Sequence, residues 1–101
     1  MFVHIVFWRI AEGVEGRSKA ESAADMQRRF ADLRPQIEGL TRLDIGIDVL
    51  HTDASVDVGL YSEFRSRAAY DAYVTHPAHQ ALVAFIRTLA TERRVLDYEI
   101  P

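Results

Sequence analysis

Strand-like and helix-like stretches in the order β-α-β-β-α-α-β predict an α+β fold built on an antiparallel sheet. Three observations carry this expectation. Segments dense in β-branched and aromatic residues stand at the start and the end of the chain. A capped stretch of helical period follows the first of them. A second helical stretch, broken by His76-Pro77, comes before the last strand.

The opening strand is Phe2 to Ile10, FVHIVFWRI. Alternation puts Phe2, His4, Val6, Trp8 and Ile10 on one face and Val3, Ile5, Phe7 and Arg9 on the other. Both faces are apolar, so a single layer of helices leaves one of them in need of cover. Ala11 to Arg17 is a polar loop with Gly13 and Gly16, and Ser18-Lys19-Ala20-Glu21 fits a capping box. Ala23, Met26, Phe30, Leu33 and Ile37 recur at helical spacing, which predicts a helix from about 19 to 34, ended or kinked by Pro35, with Gly39 as its exit.

The second strand is expected over Leu43 to Leu50, with Leu43, Ile45, Ile47 and Val49 on its apolar face. Residues 51–55 are turn material, and the third strand is expected over Val56 to Phe64. Gly59 within it suggests close approach of another backbone or a ligand. Ser66 is a plausible N-cap for a short helix over Arg67 to Val74, and a longer helix is expected over Ala78 to Arg94. A fourth strand, Val95 to Ile100, closes the sequence. Taking the two later helices as one broken crossover, the order is the split βαβ of a ferredoxin-like protomer. The apolar face left over then points to sheet-against-sheet pairing of two protomers, a homodimer.

Composition bounds the function classes. A chain of 101 residues is expected to be one domain, residues 1–101, because domains commonly run to ~100–150 residues. With 49% hydrophobic and 27% charged residues, it reads as soluble and globular. A net charge of −3 and a pI of about 5.7 argue against a nucleic-acid partner. No run approaches the ~18 apolar residues of a membrane span, and no signal-like segment opens the chain, so no membrane partner and a cytoplasmic address are expected. The absence of cysteine excludes disulfides, a thiol nucleophile and every cysteine-containing zinc site. There is no phosphate-cradling glycine loop and no nucleophile elbow, and the expectation is no cofactor.

The chemistry concentrates in Tyr73-Val74-Thr75-His76-Pro77-Ala78-His79. Pro77 suits the first position of a new helix and pushes His76 out of the α region. His79 then falls in the first turn, where the helix dipole disfavours an imidazolium and leaves a neutral base. Abstracting a proton next to a carbonyl needs such a base, and the resulting enolate needs a donor. His79 as base, Tyr73 as donor or orienter and His4 as a second polar contact would make that set. Trp8 and Val6 share the strand face of His4 and could line the same ligand pocket, with His76 as a further contact. The structural alternatives are a core position for His4, a first-turn carbonyl partner for His79, and capping of the second helix by His76. His76 and His79 stand at i, i+3 and could join His4, but the proline turn splays them and no carboxylate is spaced to complete a set, so no metal is expected.

HIVFWRI, YSEF, AYVTHPAH and ERRVLDYEI together resemble the stress-responsive dimeric α/β-barrel (Dabb) family over nearly the whole chain. The resemblance implies a protomer whose sheet closes into a barrel with a twofold mate, and a small pocket between sheet and helices. A plant polyketide cyclase of that family performs an aldol-type ring closure with a tyrosine and a histidine that match Tyr73 and His79, and a pocket histidine that matches His4. Two function classes follow: a cofactor-free lyase or cyclase acting on an enolisable carbonyl compound, or a non-catalytic dimer holding a small apolar or aromatic ligand. A cofactor-free monooxygenase of related barrel families is a third.

Overall fold

A computed structural model describes all residues from Met1 to Pro101. Four strands, β1 (Phe2–Ile10), β2 (Leu40–Ile47), β3 (Val58–Phe64) and β4 (Ala90–Glu99), form one sheet in the order β2-β3-β1-β4. Every neighbouring pair is antiparallel. Three helices, α1 (Lys19–Leu33), α2 (Arg67–Thr75) and α3 (Pro77–Arg87), complete the ferredoxin-like α+β fold. No helix is long and apolar enough to cross a membrane.

β1 lies at the centre of the sheet, and its alternation sorts the molecule into two faces. Phe2, His4, Val6, Trp8 and Ile10 are all buried. With Phe30, Phe64, Met26, Leu82 and Leu89 they build the layer between sheet and helices. On the opposite face no helix packs. There Phe7, Leu96 and Tyr98 remain 40–56% exposed, and Phe7 lies across Gly59, where a Cβ would meet its ring at 3.4 Å. The close neighbour of Gly59 is thus an aromatic side chain of β1, not the backbone or ligand that was expected.

Local signals set the helix ends. Ser18 Oγ accepts from the Glu21 N–H at 3.1 Å while Glu21 Oε1 accepts from the Ser18 N–H at 3.0 Å, a full capping box at the start of α1. Such a cap contributes about 1 kcal/mol. Pro35 sits in a short 3₁₀ turn, Arg34–Gln36, that ends the regular helix. Gly39 follows with φ 81°, and a Cβ there would stand 2.6 Å from Cβ of Ala69, so only glycine lets α2 close on the start of β2.

Three boundaries differ from expectation. The helix expected to reach Arg94 stops at Arg87, and β4 begins at Ala90 rather than Val95. Thr91-Glu92-Arg93-Arg94 reads as helix by propensity, but a nine-residue β1 demands a partner along its length, and Glu92, Arg93 and Arg94 pair with Arg9, Trp8 and Phe7. Tertiary pairing overrides the weak local preference. β2 runs Leu40–Ile47 instead of Leu43–Leu50, which leaves Val49 and Leu50 in the connecting loop, 80% and 77% exposed. Asp48 turns the chain there, its carboxylate accepting from the His51 N–H at 2.7 Å. β3 starts at Val58, two residues late, because the Asp57 carboxylate accepts from the Ile10 N–H at 2.8 Å.

Candidate functional site

The broken crossover builds one end of the site. His76 has φ −64° and ψ 130°, so it ends α2 and caps α3, with Pro77 at the first helical position. Its Nδ1 accepts from the Ala78 N–H at 3.1 Å. In an unbroken helix that N–H would bond to the carbonyl of Val74. Here the Val74 carbonyl receives Nδ1–H of His79 instead, at 3.4 Å. A carbonyl can only accept, so the proton sits on Nδ1 and the Nε2 lone pair of neutral His79 is free.

The sheet builds the other end. Register places His4 opposite Asp97 on β4 and Ser62 on β3. Nδ1–H of His4 donates to Oδ1 of Asp97, while Ser62 Oγ donates to the His4 carbonyl at 2.7 Å. His4 therefore also carries its proton on Nδ1 and keeps Nε2 bare. Tyr73 stands between the two imidazoles. Its ring centroid is 3.9 Å from that of His79, tilted by 37°, and 6.5 Å from that of His4, edge-on. The Tyr73–His79 contact is thus ring stacking rather than a hydroxyl-to-ring bond.

These groups share the wall of a cavity of about 550 Å³ between the sheet and the helices. His4, Tyr73 and His79 all line it, as do Val6 and Trp8. His76 is not among the lining residues, because its ring is committed to the helix cap. Apolar side chains such as Phe30, Leu60 and Ile86 make up most of the rest of the wall.

Burial dominates the electrostatics. It lowers the pKa of His4 below the ordinary imidazole value, against the opposing pull of the Asp97 hydrogen bond. His79 is lowered in the same way, with His4 and Arg93 adding to the effect and the Val74 carbonyl opposing it. The Tyr73 phenol is pushed well above its usual range by burial, and further by the nearby Tyr70. At neutral pH the site therefore presents two neutral imidazoles, each with a free Nε2, and a phenol that keeps its proton.

Two participants escaped the sequence reading. Asp97 lies 93 residues from the ring it orients, and only the β1–β4 register brings the two together. Alternation of the last strand, which puts Val95, Asp97 and Glu99 on one face, was the available signal. Arg93, placed by expectation on a helix, in fact lines the cavity from β4.

A family model described as the stress responsive A/B barrel domain matches residues 2–100. An uncharacterised protein of Streptomyces coelicolor is 32% identical over 99 residues, spanning 98% of this chain and 99% of that protein. The fold is similar to that of a dimeric protein of unknown function and ferredoxin-like fold from Bacteroides fragilis, with a TM-score of 0.83 and 23% identity over 98% of this chain and 95% of that one. It is also similar to a dimeric ferredoxin-like protein of unknown function from Thermobifida fusca, with a TM-score of 0.84 and 18% identity over 98% and 90% of the two chains.

Proposed function

The chain belongs to the stress responsive A/B barrel domain family, and from that premise we propose that it is a cofactor-free lyase or cyclase acting on an enolisable carbonyl compound. The observation that carries this reading is the convergence of His4, Tyr73 and His79 on one largely apolar cavity. A neutral base and a protonated donor side by side, shielded from bulk water, are what enolisation requires.

In this mechanism Nε2 of His79 takes a proton from the carbon next to a carbonyl. The C–H electron pair moves into the carbon–carbon bond, and the carbonyl oxygen becomes an enolate oxygen. The Tyr73 hydroxyl donates to that oxygen, and its raised pKa keeps the proton on the phenol. Nε2 of His4, held in orientation by Asp97, accepts a hydrogen bond from a substrate hydroxyl and fixes the pose. The enolate carbon then attacks a second carbonyl of the same molecule. A carbon–carbon bond forms, and the new alkoxide takes back the proton carried by His79.

The working form in this proposal is a homodimer, with the helix-free sheet faces of two protomers closing a barrel. The exposed Phe7, Leu96 and Tyr98 on that face support it, and the two similar structures are described as dimeric. Light scattering at micromolar concentration should report twice the mass of the chain, and a monomer would overturn the assembly.

Enolisation can be tested without the natural substrate. Phenylacetone in heavy water exchanges its α-hydrogens for deuterium through the enolate, and proton NMR follows the loss. The protein should accelerate this exchange and His79→Ala should not. A wild-type protein that binds phenylacetone without accelerating exchange would leave a binding protein in place of an enzyme.

A further inference from the structure

The arginines of this chain fall into two groups. Most are paired: Arg9 and Arg94 with Glu92, Arg17, Arg28 and Arg29 with Asp25, Arg42 with Asp44, and Arg67 with Asp71. Arg34, Arg65, Arg87 and Arg93 have no carboxylate partner, and of these Arg87 and Arg93 line the cavity. Arg93 is flanked in sequence by Glu92 and Arg94, yet Glu92 turns to Arg9 and Arg94 and leaves it free. The two that line the cavity enter it from different layers, Arg87 from the helices and Arg93 from the sheet, so an unneutralised cation stands on either side of the same space.

Their position is as telling as their freedom. Arg87 is the last residue of α3, eight residues beyond His79, or about 12 Å along the helix axis at ~1.5 Å per residue. Arg93 sits on β4 opposite Trp8, four residues before Asp97, or about 14 Å along the strand at ~3.4 Å per residue. Both are thus rooted towards the end of the cavity away from the His4–Asp97 and His79–Val74 bonds. Between the two ends lie Val6, Trp8 and Leu60, which offer no polar side chain except the indole N–H. The two arginines thus leave the backbone away from the proton-transfer groups, over an apolar floor, while the Arg93 charge still acts on them.

Resting on the reading of this cavity as a ligand site, we propose that its ligand is a carboxylic acid, held by its carboxylate at Arg93 with Arg87 beside it, its apolar or aromatic body lying along Trp8. A guanidinium matches a carboxylate in charge and in its two-oxygen geometry. The Arg93 charge also reaches His4 and His79, where it disfavours the imidazolium forms, and Tyr73, where it works against the upward push of burial on the phenol. A bound carboxylate would neutralise that charge and make both imidazoles readier to accept a proton. The acid group would then prime the site as well as anchor the ligand.

Matched probes separate charge from shape. 2-Naphthoate and 2-naphthamide share an aromatic body and differ in charge, and calorimetry at pH 7 measures both. Trp8 is the only tryptophan, so its indole N–H resonance reports whether binding is in the cavity. Naphthoate should bind at least about tenfold more tightly than the amide, a difference of ~1.4 kcal/mol. Arg93→Met, which keeps an apolar stem and removes the charge, should abolish that preference while leaving amide affinity within about twofold. Circular dichroism checks that the variant is folded, and Arg93→Lys should recover part of the preference if it is not.

Equal affinity for acid and amide, both moving the Trp8 signal, would overturn the carboxylate inference and leave the cavity a ligand site. A preference that survives in Arg93→Met would overturn it as well. Tighter binding of 2-naphthyl phosphate than of naphthoate would replace the carboxylate with a phosphate. Failure of every probe, including neutral 2-naphthol, to move the Trp8 resonance would remove the ligand site itself, and this inference with it.

Discussion

His4 and His79 carry their protons on the same ring nitrogen, yet they are held in opposite ways. His4 grows from the central strand, is 4% exposed, and is locked from behind by a carboxylate. His79 stands in the first turn of a helix, half-buried, stacked on a tyrosine and held by one long bond of 3.4 Å to a carbonyl. A carboxylate behind an imidazole favours its charged form far more than a neutral carbonyl does. The difference teaches that one site can hold two chemically alike groups for different tasks. In the proposed mechanism the more constrained His4 orients the substrate and the less constrained His79 moves the proton.

Removing the less constrained ring should have the largest effect. In the enolisation assay His79→Ala is expected to lower the rate by roughly 10²–10⁴-fold, the range for a general base. Tyr73→Phe keeps the stacking and removes the donor, so a fall of about 10²-fold in rate, with binding intact, is expected. Should Tyr73→Phe be neutral while His79→Ala is not, the phenol serves only to position the imidazole.

Asp97→Asn sharpens the contrast from the other side. The amide oxygen can still accept from Nδ1–H of His4, but the negative charge is gone. With 4-hydroxyphenylacetone as the probe, whose phenol supplies the hydroxyl, apparent KM should rise by about tenfold if His4 orients the substrate, with kcat little changed. A fall in kcat that matches His79→Ala, with KM constant, would reverse the two assignments and make His4 the base.

How much of this was legible beforehand depends on the distance over which each signal acts. The α1 capping box is complete within four residues, and the helix-breaking proline acts on its immediate neighbours, so both were readable from the sequence. The cap role of His76 was readable for the same reason. The start of β4 was not, because it is set by pairing with a strand more than 80 residues away. Asp97 and Arg93 became visible as site residues only through that same pairing. Caps and proline breaks are prescribed by local sequence, whereas strand ends and the register between distant strands are not.

Acid stability should distinguish the buried imidazoles from exposed ones. Both His4 and His79 have folded-state pKa values below the unfolded value near 6.5. Below that pH the unfolded chain binds more protons than the folded one, so stability falls as pH drops from 6.5 through the folded values. Thermal melts at pH 7 and pH 5 should show this loss, and His79→Gln should lose less between the two. An unchanged difference would mean that His79 is no more shielded in solution than an exposed ring.

The smallest effect belongs to the histidine outside the cavity. His76→Ala removes the side-chain acceptor at the start of α3 and should lower stability by about 1 kcal/mol. Catalysis should follow only through the Val74 carbonyl. If the Ala78 N–H reclaims that oxygen, His79 loses its tautomer-setting partner and activity falls without any loss of binding. Activity equal to wild type would show that the carbonyl stays free.

Met1 and Ile100 meet at one end of the β1–β4 ladder, the Ile100 N–H donating to the Met1 carbonyl at 2.8 Å. The first and last strands of the chain are thus immediate neighbours, and the cavity takes His4, Val6 and Trp8 from one and Arg93 from the other. Contacts of such sequence separation form only after most of the chain is available, and they slow folding. During synthesis the helices can form in turn, but the pocket has no complete wall until β4 has been made and paired with β1. The helices can therefore form before the cavity exists, and the cavity is completed only when β4 docks beside β1.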